Sequence, residues 1–178
     1  MLISEIETPL GIMIVGSVDD GICMCEFNDR KTLEAQLIKL KRYLQQEITE
    51  GAEGHIKNLR LQLNEYFAGT RKRFDIPLVT PGTEFQKKVW NELLNIPYGA
   101  TISYRQQANA LLNPLAVRAV ANANGMNRIA IIIPCHRVIG SNGSLTGYAG
   151  GLDKKKWLLE HEKNTVNKPP NPQRGTRK

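Results

Sequence analysis

The sequence has no long apolar run and few cysteines, histidines or aromatic residues. Its 178 residues include three cysteines and three histidines, and aromatic side chains make up 6% of the chain. No window is apolar enough to cross a bilayer, and the N-terminus lacks the basic and apolar segments of a signal peptide. An odd number of cysteines without disulfide-like spacing is typical of a reducing compartment. We therefore expect a cytoplasmic, monomeric protein without membrane contact.

The charge is positive overall but unevenly distributed. Hydrophobic residues form 41% of the chain, enough for one large or two small domains, and the formal net charge is +7. Residues 1–80 carry 10 basic and 12 acidic side chains, residues 81–162 carry 9 and 5, and residues 163–178 carry 5 and none. A polyanion would be attracted to the second half, although such a balance is also common on ordinary solvated surfaces.

Residues 1–80 have the pattern of a small α/β domain. Turn residues at positions 8–11 and 19–21 separate three apolar runs, which predicts an antiparallel sheet. Apolar residues at helical spacing predict helices over residues 31–48 and 56–67, and a further strand is expected over residues 74–79. Thr80-Pro81-Gly82 is the expected boundary to a second domain.

No metal site is predicted in this first domain. Cys23 and Cys25 are two residues apart and should share one face of a strand. Because a structural zinc ion needs four convergent ligands, we assign both thiols to core packing. We predict no metal and no cofactor for the chain.

The second half begins with helices that carry explicit start signals. Thr83 and Ser103 each open a capping box and predict helices that end near residues 94 and 111. Pro114 suits a first helical position and predicts a further helix that ends near residue 125. Two short helices joined by a tight turn predict a helix-turn-helix. The second of them is rich in alanine, which suits core packing and DNA contact about equally, and its single arginine, Arg118, favours DNA.

A run of β-branched residues leads directly to a cysteine, a histidine and an arginine. Residues 129–133 are apolar, Pro134 ends the run, and Cys135, His136 and Arg137 follow. The run predicts a buried strand that stops abruptly before the thiol. A lone cysteine in such a place is usually a core side chain, whereas a neighbouring base and cation would favour its reactive thiolate. Both alternatives stay open on this segment alone.

A glycine-rich loop over residues 140–151 follows and predicts a close pocket lining. Asp153 should cap a basic helix that runs to about residue 163, with three lysines at positions 154–156 in solvent and Trp157 facing inward. Glu162 could face either side. Residues 164–178 contain proline and basic residues but no acid, and predict a disordered tail.

Three segments together resemble the methylated-DNA:protein-cysteine methyltransferases, the O6-alkylguanine-DNA alkyltransferases. They are Arg118-Ala119-Val120, Pro134-Cys135-His136-Arg137-Val138 and Gly147-Tyr148-Ala149-Gly150-Gly151. The resemblance is strongest over residues 82–162. It implies a mixed α/β protein with a ribonuclease-H-like domain over residues 1–80, and a mostly helical DNA-binding alkyltransferase domain over residues 81–163 that contains the helix-turn-helix.

The resemblance implies repair of double-stranded DNA. The alkyl group of O6-alkylguanine, and less readily that of O4-alkylthymine, would move irreversibly to Cys135 in a single turnover, with the damaged base flipped out of the helix. Glu162 would orient His136, which would act as base through a water molecule because adjacent side chains in an extended segment diverge. Tyr104 would donate a hydrogen bond to a guanine ring nitrogen.

The resemblance also implies contacts with substrate and DNA. Arg118 would fill the gap left by the flipped base, Asn127 would tie the helix-turn-helix to the cysteine segment, and Val138 would supply a backbone acceptor. The full implied set is Arg118, Ala119, Asn127, Arg137, Val138, Tyr148 and Ala149. Two positions depart from the family pattern: Leu112 stands where a glycine often precedes Asn113-Pro114, and Arg128 where a proline commonly follows the asparagine.

Other functions fit parts of the pattern. A helix-turn-helix protein that recognises alkylated or ordinary DNA without chemistry would leave Cys135 as a structural residue. A cysteine hydrolase would need a substrate cleft and a base in direct reach of the thiol, and the adjacent Cys-His order gives poor direct geometry.

Overall fold

A four-stranded sheet and six α-helices account for most of residues 1–167, the part of the chain that this computed structural model describes. The predicted tail therefore lies largely outside the described residues. Its first four positions, 164–167, are helical, which corrects the predicted end of the last helix at residue 163. No helix within residues 1–167 is long and apolar enough to span a membrane.

The sheet contains strands β1 (Leu2–Thr8), β2 (Gly11–Val18), β3 (Gly21–Phe27) and β4 (Thr49–Glu50) in the order β3-β2-β1-β4. The first three strands are antiparallel, and β4 runs parallel to β1. The predicted antiparallel sheet is confirmed.

Helices α1 (Leu33–Leu44) and α2 (His55–Phe67) complete the first domain. The predicted strand over residues 74–79 is wrong: this segment forms a single bridge, between Leu78 and Ile22. Pro77 has no N–H to donate to a ladder, so the pairing does not extend.

The two cysteines of β3 are both buried but lie in separate clusters. The pairing of β2 with β3 shifts register between Gly16 and Ser17, opposite Cys23. Cys23 packs in a small cluster with Leu40, whereas Cys25 belongs to the main core. Packing is thus their structural role, but the expectation that they share one face is wrong because the shift breaks the two-residue alternation.

The second half consists of α3 (Glu84–Leu93), α4 (Tyr104–Ala110), α5 (Val117–Gly125) and α6 (Leu152–Asn167). Two short strands, β5 (Ile102–Ser103) and β6 (Val138–Ile139), pair in parallel. Both predicted capping boxes form, at Thr83 and at Ser103.

Helices α4 and α5 are joined by a turn over residues 111–116. A buried amide pair locks them together: Asn124 Nδ2 donates to Gln107 Oε1 at 2.7 Å. The second helix begins at Val117 rather than at Pro114, because Ala116 N closes a turn onto Asn113 O at 3.0 Å.

Residues 129–133 do not form the predicted strand. Ile129 bridges Cys25 of β3, and the chain then turns, with Ile131 at a φ of 72°. Cys135 begins a 3-10 helix, η1 (Cys135–Arg137). Apolar composition predicts burial, but it does not distinguish a strand from a buried turn.

The main core is continuous across residue 80. Ile6, Phe27 and Leu59 from the first half belong to the same cluster as Val120 and Leu158 from the second. The sheet domain and the helical domain are therefore packed against each other rather than joined only by a linker.

We predict that Leu112→Asn stabilises the protein. Leu112 has a φ of +55° and is 91% exposed, so the substitution loses no burial and introduces a residue that tolerates the left-handed conformation. The free energy of unfolding in urea should rise by up to about 1 kcal/mol. Leu115→Asn is the control, because Leu115 is 96% exposed and its φ is not positive. Equal unfolding curves for the two variants would contradict the prediction.

Candidate active site

The carboxylate of Glu162 is fully buried on α6 and accepts five hydrogen bonds. Oε1 accepts from Tyr66 Oη at 2.8 Å, His136 Nε2 at 2.8 Å and Arg137 Nη2 at 2.9 Å. Oε2 accepts from Gly99 N at 2.9 Å and Arg137 Nε at 2.9 Å. Burial alone would disfavour the charged form, but the bonds from His136 and Arg137 hold the pKa of Glu162 well below its usual range. The carboxylate is therefore ionised at neutral pH.

The ring of His136 is fully buried and fixed by this carboxylate. Burial lowers the pKa of His136, and the hydrogen bond to Glu162 opposes that shift only in part, so the imidazole is neutral at pH 7. Because an ionised carboxylate can only accept, Nε2 carries the proton and Nδ1 the lone pair. Nδ1 is buried and has no hydrogen-bond partner among residues 1–167. This tautomer can take up a proton at Nδ1.

Cys135 is 9% exposed, and its thiol accepts a hydrogen bond from Asn127 Nδ2 at 3.2 Å. Burial raises the pKa of Cys135, while the Asn127 bond and the charges of Lys155 and Arg30 act in the opposite direction. The thiol is therefore protonated at neutral pH, and it needs a base before it can act as a nucleophile.

Asn127 connects the end of α5 to the thiol. Its Nδ2 also donates to Ile133 O at 2.9 Å, and its Oδ1 accepts from Ile129 N at 3.0 Å. Its side chain thus bonds to three points of the segment that leads to Cys135. This is the place of the asparagine that the resemblance implied.

Lys155 is buried on α6, so the expectation that it lies in solvent is wrong. Its Nζ donates to Val138 O at 2.6 Å and to Thr146 O at 2.7 Å, which replaces water for the buried ammonium. Burial lowers the pKa of Lys155 to about 8. Val138 O, the implied acceptor for guanine, thus already has one donor and keeps one further lone pair.

Tyr104 and the glycine-rich loop lie together at the surface near the thiol. The hydroxyl of Tyr104 is 3.0 Å from Thr146 O and 3.3 Å from Gly147 O. Burial raises the pKa of Tyr104, so the phenol remains a donor at neutral pH. Tyr148 and Ala149 of the same loop line a surface groove with Tyr104 and Arg118.

Helix α5 exposes one narrow face. Leu115, just before the helix, is exposed together with Arg118, Ala119 and Asn122, at the spacing of one helix face, while Val120 is buried. On this face the long, charged side chain of Arg118 is therefore flanked by the small side chains of Ala119 and Asn122. One face of this helix therefore packs in the core, as one of the two alternatives predicted, and contact of the exposed face with DNA stays a prediction.

The structure does not place Arg137 on this open face. Its guanidinium is buried, binds both oxygens of Glu162, and donates to Ile96 O at 2.7 Å. The expectation that Arg137 contacts substrate or DNA is therefore wrong, because its charge neutralises Glu162 inside the protein.

Arg128, the second departure from the family pattern, is half-buried and donates to Gln36 Oε1 at 2.6 Å and Pro81 O at 2.7 Å.

Three residues of the site were missed by the sequence analysis. Tyr66 and Arg30 belong to the first domain, and their partners Glu162 and Asn127 are 96 and 97 positions away in the chain, so no local pattern could reveal them. Lys155 did carry a signal, because it lies three and seven positions before Leu158 and Glu162, on the same face of α6.

Within residues 1–167 no group of three or more His, Cys, Asp or Glu side chains could hold a metal ion.

We predict that Glu162→Gln strongly destabilises the protein at pH 7. The amide has no charge, so Arg137 would be left buried and unpaired, at a cost of about 3–5 kcal/mol in the free energy of unfolding. Glu160→Gln is the control, because Glu160 is on the same helix with its side chain 61% exposed.

The destabilisation should also depend on pH with a definite sign. Because the pKa of Glu162 is depressed in the folded state, its stabilising effect is present above the unfolded pKa of about 4.3 and is lost as the pH falls further. The difference between wild type and Glu162→Gln in urea unfolding should therefore shrink below about pH 4.3. A difference that is constant with pH would contradict the role given to this charge.

Comparisons with known proteins match both halves of the chain. Residues 84–164 match the family described as 6-O-methylguanine DNA methyltransferase, DNA binding domain, and residues 1–80 match its ribonuclease-like domain. A methylated-DNA–protein-cysteine methyltransferase of Methanosarcina acetivorans is 44% identical over 157 residues, which are 88% of this chain and 94% of that protein. One from Shigella flexneri is 40% identical over 164 residues, 91% of this chain and 95% of that protein.

Solved structures show the same fold. A Mycobacterium tuberculosis relative in complex with DNA superposes with a TM-score of 0.81 at 39% identity and covers 93% of this chain and 94% of its own. An O6-methylguanine-DNA methyltransferase from Pyrococcus kodakaraensis gives 0.62 at 26% identity over 90% and 98% of the two chains. The predicted mixed α/β fold is confirmed, and the chain belongs to the methylated-DNA–protein-cysteine methyltransferase family.

Proposed function

We propose that Cys135 is the residue that accepts the alkyl group of O6-alkylguanine from double-stranded DNA, once per protein molecule. Family membership makes O6-methylguanine repair by methyl transfer to a cysteine the activity of this chain. The observation that carries the choice of cysteine is the buried pair of His136 and Glu162, whose histidine directly follows Cys135 in η1. Cys23 and Cys25 are buried in apolar clusters, and burial raises the pKa of Cys23 to about 11 and that of Cys25 still further.

In the proposed reaction, the thiol proton of Cys135 moves through a water molecule to Nδ1 of His136. The resulting imidazolium is stabilised by ionised Glu162, as a histidine and carboxylate act in other activated nucleophiles. The thiolate attacks the alkyl carbon in line, the S–C bond forms, and the C–O6 bond breaks with its electron pair on O6. A hydrogen bond from Tyr104 stabilises the guanine anion as it forms. The anion then takes up a proton from solvent, and the imidazolium of His136 returns the thiol proton to solvent.

The product explains the single turnover. The sulfur becomes a neutral thioether. Neither water nor a neutral imidazole can remove its alkyl group, because the leaving group would be a thiolate, which leaves an alkyl carbon poorly. The protein is therefore a stoichiometric reagent for the damaged base.

Delivery of the base to the thiol requires base flipping. The alkyl carbon cannot be reached in line while guanine is stacked, and extrusion costs a few kcal/mol. The exposed face of α5 with Arg118 is the proposed DNA contact, and the groove lined by Tyr104, Tyr148 and Ala149 is the proposed entrance for the flipped base. A DNA-binding protein without chemistry would have no use for a neutral, buried histidine that follows a buried cysteine and keeps Nδ1 free of any partner within residues 1–167.

The acceptor can be identified directly. Duplex DNA that contains O6-methylguanine should place one methyl group on the Cys135 peptide, detected by mass spectrometry of the digested protein, and the yield should saturate at one per molecule. Cys135→Ser should gain none, whereas Cys23→Ala should react like the wild type. A methyl group on another residue, or more than one methyl group removed from DNA per protein molecule, would contradict the proposal.

The role of Arg118 can be separated from simple charge attraction. Arg118→Ala should slow methyl transfer from duplex DNA on the order of 10-fold to 100-fold, because the vacated base position is no longer filled and flipping costs a few kcal/mol. Transfer from a single-stranded oligonucleotide should change much less. Arg105→Ala removes the same charge from the exposed surface of α4 and serves as control. Equal losses on both substrates would argue against gap filling.

A further inference from the structure

Arg30 of the first domain reaches into the region behind the thiol. It lies between β3 and α1 and is 7% exposed. Its Nη2 donates to Gly125 O at 2.8 Å and its Nη1 to Asn127 O at 3.1 Å. The guanidinium is also ion-paired with Glu26, and Nε donates to Thr32 Oγ1 at 2.9 Å.

The two carbonyls that Arg30 binds lie between the end of α5 and the segment that leads to Cys135. Gly125 is the last residue of α5, where carbonyl groups lack helical partners and the helix dipole favours a cation. Asn127 is the residue whose side chain donates to Cys135 Sγ at 3.2 Å. One guanidinium therefore holds the end of the DNA-facing helix and the backbone of the residue that holds the thiol.

The positive charge of Arg30 also acts to lower the pKa of the Cys135 thiol, against the larger effect of burial. The other charged or titratable groups around the sulfur come from separate elements, and Asn127 adds a neutral donor. They are Lys155 of α6, Tyr104 of α4 and Tyr148 of the glycine-rich loop. His136 follows Cys135 directly in η1. Arg30 itself faces Glu26, Arg128 and Tyr148 in addition to Cys135.

We propose that Arg30 is a positioning residue for alkyl transfer. By fixing the Gly125 and Asn127 carbonyls, it keeps the Asn127 amide aimed at the sulfur of Cys135. The first domain thereby takes part in the reaction instead of serving only as a scaffold. The inference rests on the proposed function of Cys135 as alkyl acceptor.

A second arginine provides a matched comparison. Arg128 is half-buried and also links the two domains, through Gln36 of α1 and Pro81 O. Its side chain, however, donates neither to Asn127 nor to the end of α5. If Arg30 only joined the domains, loss of either arginine would have the same effect on the reaction.

The experiment compares Arg30→Met combined with Glu26→Gln, Arg30→Lys and Arg128→Met. The double variant removes the buried charge pair as a unit, so that Glu26 is not left unpaired. For each protein, the single-turnover rate of methyl transfer from duplex O6-methylguanine DNA is measured at saturating concentration over a range of pH. DNA affinity and urea unfolding are measured in parallel.

We expect the double variant to lose on the order of 10-fold to 100-fold in rate at saturation, as displacement of a reacting group typically costs. The rise of the rate with pH should move to higher pH, because a cation and an aimed donor that favour the thiolate are lost or disturbed. Arg30→Lys keeps the charge and should retain part of the rate. Arg128→Met should lose stability but keep the rate and the pH profile. Arg30→Met with Glu26→Gln, combined with Asn127→Ala, should be no worse than Asn127→Ala alone.

The outcomes separate this inference from the proposed function. If wild-type protein places no methyl group on Cys135, the proposed function fails. If wild type reacts and the double variant keeps its rate and pH profile, or matches Arg128→Met, the role of Arg30 is overturned. Should the double variant not fold, Arg30→Lys decides, because its single ammonium cannot reproduce the guanidinium fork: a wild-type rate and pH profile would overturn the inference.

Discussion

The ionised carboxylate of Glu162 is the constraint on which the rest of the site depends. A buried charge is tolerated only when it is neutralised and fully hydrogen-bonded, so its five donors must all be in place together. Those donors come from α2, from the turn before β5 and from η1, which means that three distant parts of the chain are fixed by one side chain. The same requirement fixes the tautomer of His136, because the ionised carboxylate accepts a hydrogen bond from the N–H at Nε2. The basicity of Nδ1 is thus a consequence of the fold.

The sheet domain contributes one donor to each side of the thiol. Tyr66 donates to Glu162, which holds His136, and Arg30 donates to the backbone carbonyl of Asn127, whose side chain bonds the thiol. Since the apolar core is continuous between the domains, these donors are held by the same packed core as the second half of the chain. The sequence motifs that indicate chemistry all lie in the second half of the chain. The side chains that surround Cys135 and its neighbours, however, come from both halves.

How far the sequence could predict the structure depended on whether the deciding contacts were local. The helices that begin at Thr83 and Ser103 could be predicted because their capping partners are three residues away. The segment over residues 129–133 could not, because its path is set by the side chain of Asn127 and by a bridge to β3, whereas its composition reports only burial. Arg137 and Lys155 were misplaced for a related reason. A charged side chain is expected in solvent unless its buried partners are known, and those partners are distant carbonyl and carboxylate oxygens.

The pairing of Ile129 with Cys25 also affects how readily the protein aggregates. The backbone N–H of Cys25 donates to Arg128 O at 2.8 Å, and the carbonyl of Cys25 accepts from Ala130 N at 2.7 Å. These bonds cover the outer edge of β3 at Cys25, and the bridge to Leu78 covers it at Ile22. An open strand edge is a template for pairing with other chains. The segment that leads to Cys135 thus also covers the sheet edge against pairing with other chains. Any event that displaced it would expose both the main-chain groups of β3 and the apolar core beneath them.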